Sequence, residues 1–280
     1  MGVCRLKKIA LIVNFNKENA LETAKELILN LKGKAELYCP MEDAAFLPDV
    51  YGKSDDELFS SCKVVAVLGG DGTIIAAAKR CEAYQNILFG INIGHLGYLS
   101  VFESSDIKGA ADILLSDDIH FDDRYMLEIT HYSQGRAEGT YHALNEAVLS
   151  RGDSSRLMDF SVTGNDKTIC SYRADGIIIA TPTGSTAYSL AAGGPILSPD
   201  ADVMLITPIC PHMLRARSIV IPPKETVVMA NQPSQLSVDG QIFISLENGD
   251  KIVIKKSNCH AFLAHRREMS FYDILQEKLK

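Results

Sequence analysis

Gly69-Gly70-Asp71-Gly72-Thr73 sets three glycines around one carboxylate, directly after the apolar run 63–68 and before small residues at helical spacing. Without Cβ atoms, backbone N–H groups can approach phosphate oxygens, and a helix N-terminus adds a dipole that favours an anion. Gly69, Gly70 and Thr73 are therefore phosphate-binding candidates. A carboxylate beside phosphates is otherwise repulsive, so Asp71 needs a task there: taking a hydroxyl proton or holding a divalent cation. Two rival phosphate loops fail on their letters. No GxxxxGK[ST] string occurs, and Gly70-Asp71-Gly72 is followed by Thr73-Ile74-Ile75, which lacks the third small residue of a dinucleotide fingerprint. The same letters also fit a tight turn in which Asp71 only caps the helix.

A second cluster, 181–195, runs from Thr181-Pro182-Thr183-Gly184-Ser185 to Gly193-Gly194-Pro195 and follows the apolar run 176–180. Such a density of hydroxyls and glycines suits a loop that wraps polar ligand groups with amides and short side chains. Tyr188 can stack on a flat ring. The alternative is a turn and one-turn helix around a core tyrosine.

Elements must hold these loops. In the first third, strand candidates at 9–13, 35–38, 63–68 and 87–91 alternate with helical spacing at 19–31 and 73–83. That alternation predicts an α/β, Rossmann-like N-terminal domain with a parallel sheet covered on both faces. The acidic stretch 54–57 reads as a solvated loop or helix start. After Asp122-Asp123 short alternating runs take over, at 126–130, 140–149, 160–163, 176–180, 218–221, 226–229, 235–238, 242–246 and 251–255. Turn signals such as Gly164-Asn165-Asp166 and Asn248-Gly249-Asp250 separate them. They predict a second, all-β, sandwich-like C-terminal domain. An amphipathic helix at 271–279 closes the chain and can pack back on the first domain. The predicted division is 1–123 plus 266–280 for the α/β domain carrying GGDGT, and 124–265 for an all-β domain.

Of 280 residues, 46% are hydrophobic and 22% charged, a globular composition, and the net charge of −7 argues against broad nucleic-acid binding. Cys4, Cys39, Cys62, Cys81, Cys170, Cys210 and Cys259 form no CxxC pair, which reads as reduced thiols in a cytoplasmic protein. Arg5, Lys7 and Lys8 precede an apolar run of only five residues, 9–13, too short for a signal sequence or a membrane span. Met1-Gly2 is not a myristoylation start, because Leu6 stands where Ser or Thr is needed. Arg151-Gly152-Asp153 spells an adhesion tripeptide by coincidence.

Taken in order, these motifs resemble the NAD kinase family over most of the chain. The carriers are GGDGT, Gly90-Ile91-Asn92-Ile93-Gly94-His95-Leu96-Gly97-Tyr98-Leu99, Asn145-Glu146, Asp175-Gly176 with the 181–195 run, and Thr207-Pro208-Ile209-Cys210-Pro211-His212. GGDGT alone is shared with phosphofructokinases and with diacylglycerol and sphingosine kinases; the ordered set is specific. The resemblance implies phosphorylation of the 2′-hydroxyl of the adenosine ribose of NAD by ATP or a similar donor, giving NADP. Asp71 would accept the proton, with Gly72 beside the substrate. Asn145 and Glu146 would grip the adenosine portion, and Arg156, Arg173 and Asp175 match further ligand-contacting positions. Arg156 also reads as a solvated loop cation. Thr186, Ala187, Tyr188, Ser189, Leu190 and Ala191 would line the nucleotide, and Gln241 would reach the same pocket.

A divalent cation, Mg²⁺, is expected, bound mainly through donor phosphates rather than a protein cage. The expected partners are NAD and ATP or another donor, with no nucleic acid and no membrane, in a homodimer or homotetramer. Ala76 stands where many family members carry a basic residue, and Lys79 or Arg80 are candidate replacements. Arg173 replaces the lysine of some relatives, keeping the charge with a different geometry. The rival readings are a lipid-kinase-like GGDGT enzyme and a non-catalytic NAD-binding sensor. A lipid kinase should follow its signature with a glycine-rich segment ending in Asn-Asp, where this chain has 90–99.

Overall fold

The computed structural model describes residues 6–94, 97–100, 102–152, 156–267 and 269–280; Met1, Gly2, Cys4, Arg5, His95, Leu96 and Asp153, named above, lie outside the described residues. The chain forms two compact units, Met1–Asp123 with Ala261–Lys280, and Arg124–His260.

The first unit is α/β. In chain order it runs β1 (Lys7–Val13), α1 (Ala20–Leu31), β2 (Ala35–Pro40), β3 (Tyr51–Lys53), α2 (Asp55–Ser61), β4 (Val64–Gly69), α3 (Asp71–Arg80), β5 (Ile87–Asn92), β6 (Phe102–Glu103) and α4 (Ile107–Leu115). The strands pair in parallel in the order β5-β4-β1-β2-β3, with β6 beside the end of β5. Phe262 and Leu263 also join β5 in parallel. Strand order reverses between β1 and β4, and open α/β sheets bind ligands outside the carboxyl ends of the strands at such a point.

All six residues of β4 are buried, the pattern of a strand covered on both faces. Helices α1 and α4 bring Ala24, Leu27, Leu31, Ala110 and Leu114 against Ile9, Leu11, Ala66, Leu68 and Phe89. Helix α2 starts at the acidic stretch, where the Ser54 hydroxyl accepts the Glu57 N–H as its cap. The C-terminal helix, Phe271–Lys278, opens with a reciprocal Ser270–Asp273 capping box and buries Ile274 in the cluster that holds α1.

The second unit is built from β7 (Phe121–Ser133), β8 (Arg136–Ala143), β9 (Glu146–Ser150), β10 (Met158–Gly164), β11 (Lys167–Ala174), β12 (Gly176–Ala180), a short helix α5 (Tyr188–Ala191), β13 (Met204–Ile209), β14 (Ile219–Ile221), β15 (Thr226–Ala230), β16 (Ser234–Val238), β17 (Ile242–Leu246) and β18 (Lys251–Ala264). One antiparallel sheet has the order β14-β13-β12-β9-β16-β17. A second antiparallel layer contains β11-β10-β15-β18 and the pair β7-β8. Leu149, Ile177, Ile179, Ile206 and Leu236 of the first pack with Leu127, Phe160, Val162, Val228 and Ile252 of the second to form the sandwich core. The opposite face of the first sheet is also apolar: Val148, Ile178, Ala180 and Leu205 pack under Ala192 and Leu197 of the loop that contains α5.

The run 140–149, read in sequence as one strand, is two. Pairing stops at Ala143 and resumes at Glu146, so Leu144 and Asn145 break it.

Candidate active site

In the first unit the candidate residues gather at the carboxyl ends of β1, β4 and β5. Strand β4 ends on Gly69 and α3 begins at Asp71, with the intervening Gly70 extended. The glycines of this turn are there for different reasons. A Cβ on Gly69 would lie 2.3 Å from the Thr73 hydroxyl, so packing excludes a side chain. At Gly70 and Gly72 a Cβ would meet no heavy atom of the described residues within 4 Å, and neither has a positive φ. None of the described residues forbids a side chain at these two positions, and that room suits close approach from outside.

Asp71 is half-buried in the first turn of α3. Its Oδ2 accepts the Tyr98 N–H at 2.8 Å and its Oδ1 accepts the Leu99 N–H at 3.2 Å. Gly97 makes this possible, because a Cβ there would stand 1.9 Å from Asp71 Oδ1. The motifs 69–73 and 90–99 are thus one device: the second fixes the carboxylate of the first. Burial, and then the nearby charge of Asp71, push the Tyr98 phenol above its ordinary pKa.

Asn14, at the end of β1, went unnoticed in the sequence. Its Nδ2 donates to Thr73 Oγ1 at 3.1 Å and its N–H to Leu68 O at 2.9 Å, so it ties β1 to the turn after β4. Its signal was positional only: a polar residue at the carboxyl end of the first strand of a doubly wound sheet.

Of the two candidate replacements for the cation missing at Ala76, Arg80 is engaged by acidic side chains. It lies four residues, about one helical turn, beyond Ala76 on α3. Asp55 holds its guanidinium at 2.5 and 2.9 Å, with Glu42 at 3.8 Å. Lys79 is the other candidate.

In the second unit, Asn145 and Glu146 stand at the head of β9 and are 9% and 6% exposed. Register places Ala180, the end of β12, opposite Glu146, and Val238, the end of β16, opposite Ala147. The loop carrying Thr186, Ala187, Tyr188, Ser189, Leu190 and Ala191, and the hairpin turn that precedes Gln241, therefore gather at this end of the sheet. Tyr188 is 45% exposed, with its ring open to a stacking partner. Ser189 is buried and its hydroxyl shares a 2.8 Å hydrogen bond with Thr207, so that side chain serves the fold. Gly184 lies flat on Asn145, where a Cβ would come 2.2 Å from the Asn145 carbonyl oxygen.

Asp175, with Arg173 and Arg156 on or beside strands β11 and β10 of the facing layer, lies at the other end of the sandwich. Gly176 pairs with Ser150, four residues along β9 from Glu146, which is ~13 Å at strand rise. Asp175 bonds Arg151 at 3.0 Å. Arg173 is exposed on β11, and Arg156 precedes Met158, the partner of Ala174.

A glycine-cradled carboxylate at a parallel-sheet switch point, followed in sequence by a β-sandwich with a hydroxyl-rich loop, suits phosphoryl transfer to a hydroxyl. Residues 9–119 match the family model "ATP-NAD kinase N-terminal domain", and 144–265 match "ATP-NAD kinase C-terminal domain". The chain is 38% identical to an NAD kinase of Desulforamulus reducens over 282 residues, covering 98% of both chains. It is also 38% identical to an NAD kinase of Symbiobacterium thermophilum over 280 residues, covering 98% of this chain and 99% of that one. Among solved structures, yeast NADH kinase complexed with NADH superposes with a TM-score of 0.88 at 24% identity, covering 100% of this chain and 89% of that chain. An NAD kinase from Archaeoglobus fulgidus in complex with ATP gives a TM-score of 0.75 at 20% identity, covering 97% and 98%; these two likenesses speak to fold alone.

The chain belongs to the NAD kinase family. It is a phosphotransferase, and the lipid-kinase-like and sensor readings are not favoured by a match to NAD kinases that spans 98% of its length.

Proposed function

We propose that this NAD kinase transfers a phosphoryl group from ATP, or a similar donor, to the 2′-hydroxyl of the adenosine ribose of NAD, with Asp71 as the proton acceptor. The observation that carries the reading is the Asp71 carboxylate at the end of β4, oriented by the Tyr98 and Leu99 N–H groups beside Gly72. Each oxygen accepts one backbone N–H there and keeps acceptor capacity for a substrate hydroxyl. Gly69, Gly70 and Thr73 receive donor phosphates at the head of α3, and phosphoryl transfer asks little more of a protein than such positioning and charge stabilisation. Asn145 and Glu146 grip the adenosine ribose. Thr186, Ala187, Tyr188, Leu190, Ala191 and the backbone of Ser189 line the nucleotide, and Gln241 and the Arg156–Arg173–Asp175 group contact it further out. In this division the α/β unit performs the transfer and the all-β unit holds NAD.

The chemistry at Asp71 fits a divalent cation, Mg²⁺, that arrives with the donor, because such an ion needs no more than one or two protein carboxylates. When bound it neutralises phosphate charge. A cytoplasmic location is supported by the free thiols of Cys39, Cys62, Cys81, Cys170, Cys210 and Cys259. A homodimer or homotetramer is supported by exposed apolar side chains on the outer strands of the six-stranded sheet, Val220 at 47% and Phe243 at 61%. No helix among the described residues is long and apolar enough to cross a membrane.

The test is an NADP-specific coupled assay with NAD, Mg²⁺ and each donor in turn. Asp71→Asn keeps the shape of the side chain but cannot take the proton, so turnover should fall ~10²–10⁴-fold while NAD still binds. Turnover near the wild-type level would remove Asp71 from this role.

A further inference from the structure

The geometry points to Asp239 as a positioning residue: it holds the backbone of Leu144, Asn145 and Glu146 so that the latter two side chains meet the ribose. The inference rests on the reading of Asn145 and Glu146 as the ribose grip.

The break between β8 and β9 creates a local problem. Residues 144 and 145 belong to neither strand, yet they are buried, and buried backbone groups must find partners. Asp239 answers for all three N–H groups at once. Its Oδ2 accepts from Leu144 at 2.9 Å, and its Oδ1 accepts from Asn145 and from Glu146, each at 2.9 Å. The Asp239 N–H closes the set on the Glu146 carbonyl at 3.0 Å. The remaining two carbonyls go to Thr181, whose hydroxyl donates to Leu144 O at 2.6 Å and whose N–H donates to Asn145 O at 2.8 Å. Two residues thus satisfy every backbone donor and acceptor of the tripeptide, and Gly184 lies against it from one side.

Turn chemistry alone does not ask for this carboxylate. Asp239 and Gly240, with φ of 50° and 65°, form the turn between β16 and β17, closed by the Gln241 N–H on Val238 O at 3.0 Å. Asn-Gly or Gly-Gly would make that turn equally well. What Asn cannot do is accept three N–H donors. Whichever way its amide is turned, an NH₂ faces at least one backbone N–H. The carboxylate is therefore specific to the tripeptide rather than to the hairpin.

The experiment is a double-mutant cycle on NAD affinity, read by calorimetry without donor, alongside the Michaelis constant for donor. Asp239→Asn should weaken NAD at least tenfold, change the donor constant less than twofold, and lower the melting temperature by only a few degrees. In a Glu146→Gln background the same substitution should weaken NAD less than threefold, because the grip it positions is already gone. Hydrogen exchange should quicken at 144–146 and not across the rest of the sandwich. NAD affinity within twofold of wild type in Asp239→Asn would overturn the proposal, and so would losses that simply multiply in the double variant. If Glu146→Gln itself binds NAD normally, the ribose-grip reading of Glu146 falls separately, and the same cycle with Asn145→Ala decides whether Asp239 acts on the segment. Should Asp239→Asn fail to fold, Asp239→Glu keeps the charge one methylene further out and is held to the same thresholds.

Discussion

At the scale of single residues, backbone N–H groups are aimed at the candidate carboxylates Asp71 and Asp239, and a glycine makes one of these contacts possible. Gly97→Ala places a methyl where Asp71 Oδ1 now sits, at a separation of 1.9 Å that no real pair of atoms tolerates. The carboxylate must turn away from the Tyr98 and Leu99 amides. A displacement of that order at a reacting group costs roughly a hundredfold in turnover, and NAD affinity should stay within threefold of wild type. Equal turnover in the coupled assay would show that the orientation of Asp71 is not critical. Glu146→Ala should behave in the opposite way, weakening NAD ten- to over a hundredfold by calorimetry if a hydrogen bond to a charged group of ~1.5–3 kcal/mol is lost. Asp71 could be singled out in the sequence as a candidate from its glycine cluster, and Glu146 from the family resemblance. Asp239 could not: Asp-Gly between two β runs announces a turn, and nothing local says that the carboxylate reaches an amide 95 residues away.

At the scale of elements, patterns that stand alone were readable and patterns that depend on partners were not. The run 176–180 is strand β12 to the residue, an uninterrupted apolar stretch buried at every position. Strands β11 and β13 and helix α4 left weaker signals. Lys167–Ala174 is mostly polar, Met204–Ile209 carries Pro208, and Ile107–Leu115 contains Gly109, whose N–H is held by the Asp106 cap at 3.0 Å. The turn into β18 holds a buried pair with a pH signature. Asp250 Oδ2 lies 2.8 Å from His131 Nε2 of β7, with side-chain exposures of 6% and 8%. Burial pushes the Asp250 carboxyl up, but hydrogen bonds from Ser133, His131 and the Glu247 N–H outweigh it, and the pKa lies below the ordinary carboxylate value. A carboxyl depressed in the folded state stabilises above its unfolded pKa, and that contribution is lost as pH falls through the folded value. Thermal melts of the wild type should therefore fall from about pH 4 downward, near the unfolded Asp value. Asp250→Asn should melt lower at neutral pH and lose less on acidification. Parallel curves for the two proteins would mean that Asp250 contributes nothing to acid sensitivity.

At the scale of the whole molecule, the change of period after Asp122-Asp123 marks where βαβ units give way to antiparallel pairing, and the chain then returns to its first unit. Strand β18 belongs to the second unit up to His260 and to the first from Ala261, and the terminal helix buries Ile274 in the first unit's core. No composition shift marks a junction inside a continuous strand. The proposed division of labour assigns phosphate chemistry to residues of one unit and the ribose grip to residues of the other, so the two ligands should be thermodynamically separable. NAD alone, at about a hundred times its dissociation constant, should raise stability by ~2.7 kcal/mol whether or not a chelator is present. Turnover should vanish on chelation and return with added Mg²⁺, since the donor's charge is then neutralised only by the cation. Asp71→Asn should keep the full NAD-induced rise in melting temperature while its turnover stays ~10²–10⁴-fold down at every Mg²⁺ concentration. Undiminished turnover in the chelator would remove the cation from the reaction. An NAD-induced rise that disappears in Asp71→Asn or on chelation would show that NAD binding itself requires the phosphate-side machinery, and the division between the units would fail.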